Sequence, residues 1–312
     1  MNSYIVTGGA GFIGSSLVRA LLGRGAERVT VIDNFFSGRE RNLEEVRDRV
    51  ELHRADIRSY EKIAPLFRGA GVVFHLAAIP SVPRSISEPV PSHQVNIDGT
   101  FNVLRACSEA GVGRVVYAAS SSAYGGSDVL PKVETMSPDP KSPYAAQKLA
   151  GEYYAHVFAS CFELETVSLR YFNVYGPRQD PSSPYSGVIS VFMKCLLARV
   201  PPRIFGDGEQ SRDFTYVEDV AALTVKAARA PGVSGRLYNG GSGGRYTLNQ
   251  VWKILQEIEG VEIPARHGPP RAGDVRHSQA DTAAAARDLG HAPSFTVEEG
   301  LRRTLAWYRE NR

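Results

Sequence analysis

The stretch TGGAGFIG, residues 7–14, carries the strongest structural signal in the chain. It follows the short apolar run SYIV (3–6), which predicts a buried strand, and it leads into a helical pattern over 12–25. Gly8, Gly11 and Gly14 have the spacing of a strand-to-helix turn whose backbone closely approaches a dinucleotide pyrophosphate. The following helix N-terminus offers free N–H groups to phosphates. The stretch therefore predicts a dinucleotide-binding site.

An acidic residue at the end of the second predicted strand (28–33) supports this prediction. The carboxylate of Asp33 can accept hydrogen bonds from the adenosine ribose, and it would repel a 2′-phosphate. NAD is therefore favoured over NADP, although Arg39 and Arg41 follow closely and leave NADP open. Asp56 ends the third predicted strand, where it is either an adenine contact or a turn residue.

The order of the predicted elements indicates an α/β fold. Apolar runs alternate with helical patterns as far as residue 174, which is typical of a Rossmann-type, doubly wound parallel sheet. The predicted strands are 3–8, 28–33, 50–56, 71–78, 113–120 and 164–174, and the predicted helices are 12–25, 59–69, 92–110 and 144–160.

Beyond residue 175 the sequence predicts a smaller lobe that is interleaved with the sheet. A loop rich in Pro, Gly and Ser covers 176–187, and helical patterns follow. The segments 214–230 and 235–241 look like a return to the sheet. We therefore assign 1–172, with about 213–241, to a dinucleotide-binding domain, and 173–212 and 242–312 to a substrate lobe. Helices are predicted near 188–199, 247–258 and 296–311.

The stretch SPYAAQK (142–148) sets Tyr144 one helical turn ahead of Lys148. An ammonium about 5–6 Å from a phenol favours the phenolate and lowers the tyrosine pKa. Ser120 and Ser121 directly follow the fifth predicted strand, and the carboxyl ends of parallel strands are where such sheets bind ligands. Tyr144 is therefore predicted as a catalytic base, assisted by Lys148 and by a serine hydroxyl that relays the proton.

The overall composition excludes several classes of protein. The chain has 312 residues, 43% of them hydrophobic, with a net charge of +3 and no basic run that would suggest nucleic-acid binding. No stretch of about 18 apolar residues and no signal-peptide pattern is present, so we expect no membrane association and a cytoplasmic location. The three cysteines are predicted as reduced, buried thiols, and no metal-ligand spacing is found.

These motifs together resemble the extended short-chain dehydrogenase/reductase family, in its UDP-hexose 4-epimerase branch. They are most similar to the subgroup that acts on UDP-N-acetylglucosamine. The resemblance covers essentially the whole chain, and it is carried by TGGAGFIG, VIDN (31–34), HLAA (75–78), NIDGTFNVL (96–104), SSSAYG (120–125), SPYAAQK, RYFNVYGPRQ (170–179), GDGEQSRDFTYVEDV (206–220) and RAGDVRHSQAD (271–281).

The resemblance implies roles for individual residues. Tyr144, Lys148, Ser120 and Ser121 would be catalytic. Cofactor binding would involve Gly8, Gly11, Phe12, Ile13, Gly14, Asp33, Asn34, Asp56, Ile57, Leu76, Ala77, Ala78, Asn96, Tyr144, Lys148 and Tyr171. Substrate binding would involve Ser81, Arg84, Ser122, Asn173, Val188, Phe205, Arg212, Arg271, Asp274 and Ser278. A homodimer formed by helices 92–110 and 144–160 is also implied.

The implied reaction is NAD-dependent epimerisation at C4 of a UDP-sugar, through a transient 4-ketone that turns over before hydride returns. No Asp or Glu stands beside the relay serine, as it does in related dehydratases and decarboxylases. Ser278 is small, which in this family admits 2-acetamido sugars as well as glucose and galactose. A UDP-glucuronate or UDP-acetamidouronate 4-epimerase is the alternative, because Arg84 and His277 could serve a carboxylate. A catalytically silent dinucleotide-binding regulator is an alternative from another class, and the presence of both Tyr144 and Lys148 opposes it.

Overall fold

Short apolar runs form the strands of the computed structural model, which describes residues 3–180, 187–270 and 275–311. The strands are β1 Ser3–Thr7, β2 Arg28–Asp33, β3 Glu51–Arg54, β4 Val72–His75, β5 Arg114–Ser120, β6 Glu165–Tyr171, β7 Asn173–Tyr175, β8 Arg203–Phe205, β9 Ser211–Arg212, β10 Phe214–Tyr216, β11 Arg236–Gly240, β12 Tyr246–Thr247 and β13 Arg266–Gly268. Most side chains of β1, β2, β5 and β6 are buried, as expected for strands covered on both faces.

Within the described ranges, seven parallel strands form one central sheet in the order β11-β6-β5-β4-β1-β2-β3. The chain builds outward from β1 to β3, then returns beside β1 with β4 and builds outward in the other direction. The strand order therefore reverses between β1 and β4, where such sheets leave a crevice beyond their carboxyl ends. This arrangement confirms the predicted doubly wound, Rossmann-type fold.

Helices pack on both faces of this sheet. They are α1 Phe12–Leu22, α2 Tyr60–Ile63, α3 Val82–Ser87, α4 Pro89–His93, α5 Thr100–Glu109, α6 Pro143–Cys161, α7 Val188–Leu197, α8 Val217–Arg229, α9 Leu248–Glu259, α10 Ala283–Leu289 and α11 Val297–Glu310. Alternate strand residues divide between two apolar clusters. Val6 and Val31 pack in the cluster that holds residues of α1 and α8, whereas Ile5 and Ile32 pack in the cluster that holds residues of α5.

Two predicted helices are interrupted in the structure. The predicted helix 59–69 becomes α2 followed by a 3₁₀ turn, Ala64–Phe67, because Pro65 lacks the N–H group that a continuing helix needs. The predicted helix 92–110 is divided into α4, a π-helical turn over Gln94–Gly99, and α5. Such π turns occur often at functional sites, and this one contains Asn96.

The C-terminal elements form a third apolar cluster, beside the sheet. Phe192 of α7, Trp252 of α9 and Leu301 of α11 are buried together there, and the short strand pairs β7–β10 and β8–β13 border them. β11 lies in the central sheet beside β6, within the range 213–241 that the sequence analysis groups with 1–172. That division into a dinucleotide-binding domain and a substrate lobe stays a prediction.

The cysteines follow the prediction only in part. Cys107 is buried, as predicted, but Cys195 is partly accessible and Cys161 is exposed. Cys161 is the last residue of α6, where the helix leaves the core, so the prediction of a buried thiol was wrong there. Across the part of the chain that the structure describes, no helix has the length and apolar character needed to cross a membrane.

Candidate functional site

A cleft of about 940 Å³ lies beyond the carboxyl ends of the central strands. The structure brings most of the predicted site residues to it, although they come from distant parts of the sequence. The predicted residues that line it are Gly8, Gly11, Phe12, Ile13, Gly14, Asp33, Asn34, Ile57, Leu76, Ala77, Ala78, Ser81, Arg84, Ser120, Ser121, Ser122, Tyr144, Lys148, Tyr171, Asn173, Arg212 and Ser278.

Glycine is required sterically in the turn between β1 and α1. Gly8 has a φ of +71°, and a Cβ atom there would lie 2.8 Å from the backbone N of Ala77. A Cβ atom on Gly14 would lie 2.1 Å from the carbonyl oxygen of Gly8. The turn, the start of α1 and the segment after β4 therefore pack backbone to backbone. Their shape fits the close approach that a dinucleotide pyrophosphate needs.

Asp33 lies at the end of β2 with only 7% of its surface exposed. Its Oδ2 accepts a hydrogen bond from Ala10 N (2.9 Å), and its Oδ1 accepts one from Phe35 N (2.8 Å). Burial raises the pKa of Asp33, while these two N–H groups oppose the rise. Because a carboxylate has about four acceptor positions, two remain for ribose hydroxyls. Arg39, which left NADP open, pairs with Asp180 at 3.3 Å.

Two predicted cofactor contacts lie outside the cleft lining and support residues that do line it. Asp56 accepts from Asn34 Nδ2 at 2.9 Å, and its hydrogen bonds with Arg58 are the main reason that its pKa falls to about 2. Asn96 is 1% exposed. Its side chain bonds both backbone groups of Ile79 and the Oε1 of Gln147. Asn96 thus fixes the cleft segment after β4 to helix α6, which is a positioning contact.

The N-terminus of α6 places Tyr144 at the cleft. Ser142 caps the helix by accepting from Ala145 N at 3.2 Å, Pro143 occupies the first turn, and Tyr144 N donates to Ser85 Oγ at 3.1 Å. The Tyr144 side chain bonds Ser120 at the end of β5. The cap and the Pro are visible in the sequence, but the bond to Ser85 of α3 is a tertiary contact that sequence patterns do not reveal.

The pKa shifts of Tyr144 and Lys148 differ from the prediction. Burial raises the pKa of Tyr144, and the hydrogen bond from Ser120 only partly opposes this. Lys148 is 4% exposed, its Nζ lies 4.5 Å from the centroid of the Tyr117 ring, and burial lowers its pKa to about 7. The predicted lowering of the phenol pKa is therefore wrong for the protein alone, because burial of the Tyr144 hydroxyl raises its pKa.

The serines after β5 form a compact hydroxyl cluster. Ser120 and Ser122 are joined Oγ to Oγ at 2.8 Å, and Ser120 Oγ also accepts from Ser122 N at 3.2 Å. The 3₁₀ turn Ser121–Tyr124 brings Ser120, Ser121 and Ser122 to the cleft. This arrangement can pass a proton between Tyr144 and a ligand hydroxyl.

The predicted substrate residues are only partly assembled. Val188 and Phe205 do not line the cleft, and Arg271 and Asp274 lie outside the described residues. Some residues at the cleft were not predicted from the sequence, including Arg178, which donates to Ser16 Oγ on α1 at 3.0 Å. Its buried Nε has no partner among the described residues. A guanidinium beside the first helix fits an anionic ligand in this cleft.

A sequence model of the NAD dependent epimerase/dehydratase family matches residues 4–241. This range spans the glycine turn, Asp33, the serine cluster and the Tyr144–Lys148 pair. The chain belongs to this family. As a member it is an NAD-dependent enzyme, which confirms the predicted cofactor and opposes the silent-regulator alternative.

Three similar proteins have names that specify a UDP-sugar. The UDP-glucose 4-epimerase of Mycolicibacterium smegmatis is 38% identical over 98% of each chain. The UDP-glucuronate 4-epimerase of Thermodesulfobacterium geofontis is 33% identical, over 100% of this chain and 97% of its own. The structure of a UDP-N-acetylglucosamine 4-epimerase from Methanobrevibacter ruminantium, in complex with UDP-N-acetylmuramic acid, is 36% identical over 99% of each chain, with a TM-score of 0.95.

Proposed function

We propose that this chain is a UDP-sugar 4-epimerase that interconverts UDP-N-acetylglucosamine and UDP-N-acetylgalactosamine. The three similar proteins described above all carry names of UDP-sugar 4-epimerases, which supports the reaction. Their sugars differ, so the choice of sugar depends on this chain's own cleft. The single observation that carries it is the small side chain of Ser278 at the cleft.

Residues of the first domain would hold the cofactor. The Gly8–Gly14 turn and the N-terminus of α1 would receive the pyrophosphate, and Asp33 would accept from the adenosine ribose. Asn34, fixed by Asp56, borders the same part of the cleft. NAD, when bound, supplies two-electron oxidation and reduction at C4 of the sugar, and a nicotinamide cation that favours the phenolate of Tyr144.

Tyr144 would exchange a proton with the sugar 4-hydroxyl. Its phenol is bonded to Ser120, whose Oγ is in turn joined to Ser122 Oγ, so a proton can move along this short chain of hydroxyls. Lys148, when protonated, stabilises the phenolate from the next turn of α6. Lys148 is buried and Tyr144 is partly buried, so their electrostatic interaction is screened less than it would be in water.

Ser278 is positioned by the backbone. Its N donates to Ser211 O at 3.0 Å, which fixes the segment against β9. Arg212 of β9 lines the same cleft and would pair with the diphosphate, because a guanidinium fork suits phosphate oxygens. A serine beside the sugar leaves room for a 2-acetamido group that a bulky side chain would exclude. Steric selection of this kind is worth about 1–3 kcal/mol.

The uronic acid alternative draws less support from the cleft. Arg84 already pairs with Glu88, whose Oε2 accepts from Arg84 Nε at 3.1 Å and from Nη2 at 3.0 Å. The guanidinium carbon of Arg84 also lies 4.4 Å from the centroid of the Phe36 ring. His277 shares a 2.8 Å hydrogen bond with Ser211 Oγ. Burial and the nearby arginines lower its pKa, so its imidazole is neutral at physiological pH. Neither side chain therefore offers a ready cation to a sugar carboxylate.

The direct test is to incubate the purified protein with UDP-N-acetylglucosamine, without added cofactor, and to follow the anomeric protons by NMR. We expect UDP-N-acetylgalactosamine to appear, because retained NAD is regenerated in each turnover. UDP-glucose and UDP-glucuronate are assayed in parallel. A kcat/KM that is highest for UDP-glucuronate would overturn the substrate assignment while leaving the epimerase assignment intact.

The variant Ser278→Tyr provides the matched test of the pocket. A tyrosine ring would fill the space proposed for the acetamido group, so kcat/KM for UDP-N-acetylglucosamine should fall about 10–200-fold. Activity on UDP-glucose should change much less. Equal losses on both sugars would show that Ser278 does not select the substrate.

We also propose that two copies of the chain associate through α5 and α6. Phe101, Tyr153, Tyr154 and Val157 on these helices are between 38% and 57% exposed, which is unusual for large apolar side chains on one surface. Pairing these helices around a two-fold axis would bury them in a four-helix bundle. Light scattering at micromolar concentration should give twice the chain mass of 34.0 kDa. A monomer mass would refute this arrangement.

A further inference from the structure

A buried ion pair lies directly beneath the Tyr144–Lys148 pair. Arg170 of β6 donates from Nε to Glu152 Oε1 at 2.9 Å and from Nη2 to Glu152 Oε2 at 2.8 Å. The two side chains are only 2% and 6% exposed. Neither residue belongs to the site predicted from the sequence. A buried pair of this kind contributes little net stability, so a role beyond stability has to be considered.

The spacing on α6 connects this pair to the chemistry. Tyr144, Lys148 and Glu152 follow one another at intervals of four residues, which places them on one face of the helix. Glu152 is therefore the carboxylate nearest to Lys148 along that face. Arg170 binds both oxygens of Glu152, and the charge of Glu152 acts on Lys148.

The other side of Arg170 is also fixed. Its guanidinium carbon lies 4.4 Å from the centroid of the Tyr124 ring. The Tyr124 hydroxyl donates to Asn239 Oδ1 at 2.6 Å, and Asn239 is fully buried in β11. The arginine therefore cannot turn away without losing its contacts with Glu152 and with the Tyr124 ring. These contacts keep Arg170 beside Glu152, and Glu152 one helical turn from Lys148.

The groups that face Lys148 include just one source of negative charge among the described residues, namely Glu152. His75 of β4 is fully buried between the hydroxyls of Thr7 and Thr100, and its lowered pKa, about 3, keeps it neutral. Tyr117 of β5 presents its ring to the ammonium and is kept protonated by burial. The titratable groups around Lys148 are His75, Tyr117, Tyr144, Glu152 and, behind Glu152, Arg170.

We propose that Glu152, held by Arg170, is a positioning residue that keeps Lys148 in its cationic form at the pH of catalysis. This inference rests on the proposed function, in which a charged Lys148 stabilises the phenolate of Tyr144. Burial opposes the charge on Lys148, and Glu152 is the group that counters it. Burial raises the pKa of Glu152, and the hydrogen bonds and charge of Arg170 oppose that rise, which favours the ionised carboxylate.

The experiment compares the titration of Lys148 in the NAD-containing wild-type protein and in Glu152→Gln. Competitive acetylation with acetic anhydride modifies only the neutral amine, and peptide mass spectrometry reports the reaction at Lys148 as a function of pH. The curve should move to lower pH by about one unit when the carboxylate is removed. The ratio of variant to wild-type kcat should approach one at acidic pH and fall as the pH rises. A merely structural role would lower kcat at every pH alike.

A double variant, Glu152→Gln with Arg170→Gln, separates charge from packing. It removes the unpaired buried guanidinium of the single variant, so the Tm should recover at least in part while the Lys148 titration stays shifted. If the titration returns to that of the wild type together with the Tm, the proposal is overturned. The acetylation curve needs no substrate, so a shifted curve without epimerase activity would count against the proposed function alone.

Glu165→Gln is the matched control. Glu165 lies on β6, like Arg170, and its Oε2 accepts from Arg114 Nε at 2.8 Å, but at the opposite end of the strand from the cleft. Removing this carboxylate should leave both the acetylation curve and the pH dependence of kcat unchanged. An equal shift in this variant would show that the effect of Glu152→Gln is not specific.

Discussion

Replacing Tyr144 with Phe should lower kcat for UDP-sugar epimerisation by about 10³-fold, because a positioned acid–base group contributes about 10²–10⁴-fold. The variant retains the ring but loses the hydroxyl that bonds Ser120 at the cleft. Packing around α6 is preserved, so the Tm and the amount of bound NAD should stay near those of the wild type. The measurement is kcat by NMR of the anomeric protons, with Tm and NAD content determined on the same preparation.

Tyr153→Phe is the control for this substitution. Tyr153 lies on the same helix, but it is 57% exposed and does not line the cleft. Loss of its hydroxyl should leave kcat within about twofold of the wild type, because the hydroxyl lies away from the cleft and Phe retains the ring that the proposed dimer contact would bury. If Tyr144→Phe retains a tenth or more of the wild-type kcat, another group must exchange the proton, and the hydroxyl cluster at Ser120 would be examined next.

The sequence correctly predicts the location of those site residues whose position depends only on nearby residues in the chain. The Gly8–Gly14 turn and Asp33 follow from steric and hydrogen-bonding needs over a short span of chain, and all of them border the cleft. Tyr144 and Lys148 share a helix face because of helical spacing alone. In each case, neighbouring residues are sufficient to determine where the side chain lies.

Other features depend on contacts between distant segments and could not be predicted. The π-helical turn directs the Asn96 amide to the backbone of Ile79, a contact that sequence patterns do not reveal. Arg84 was a candidate contact for a carboxylate, but the Phe36 ring from a distant segment stacks on its guanidinium, beside its local pair with Glu88. One signal was present and overlooked. Glu152 continues the spacing of Tyr144 and Lys148 along α6, although only the fold reveals that Arg170 locks it.

Replacing Gly14 with Ala should remove NAD from the protein. The added Cβ would lie 2.1 Å from Gly8 O and 2.8 Å from Gly9 Cα, so only movement of the backbone can relieve the clash. That movement opens the turn that receives the pyrophosphate, and overpacking of this kind costs about 1–3 kcal/mol of stability. We expect a lower Tm and less than a tenth of the wild-type NAD content. NAD released by denaturing the purified protein is measured by absorbance.

Gly126→Ala is the control, because a Cβ atom there meets no heavy atom within 4 Å. It should retain both the NAD content and the Tm of the wild type. Added NAD tests the cause of any lost activity in Gly14→Ala. If the turn is only displaced, millimolar NAD should restore part of the epimerase activity, whereas a collapsed α1 would not recover. Wild-type NAD content in Gly14→Ala would contradict the proposed position of the pyrophosphate, since the clash lies at the centre of that turn.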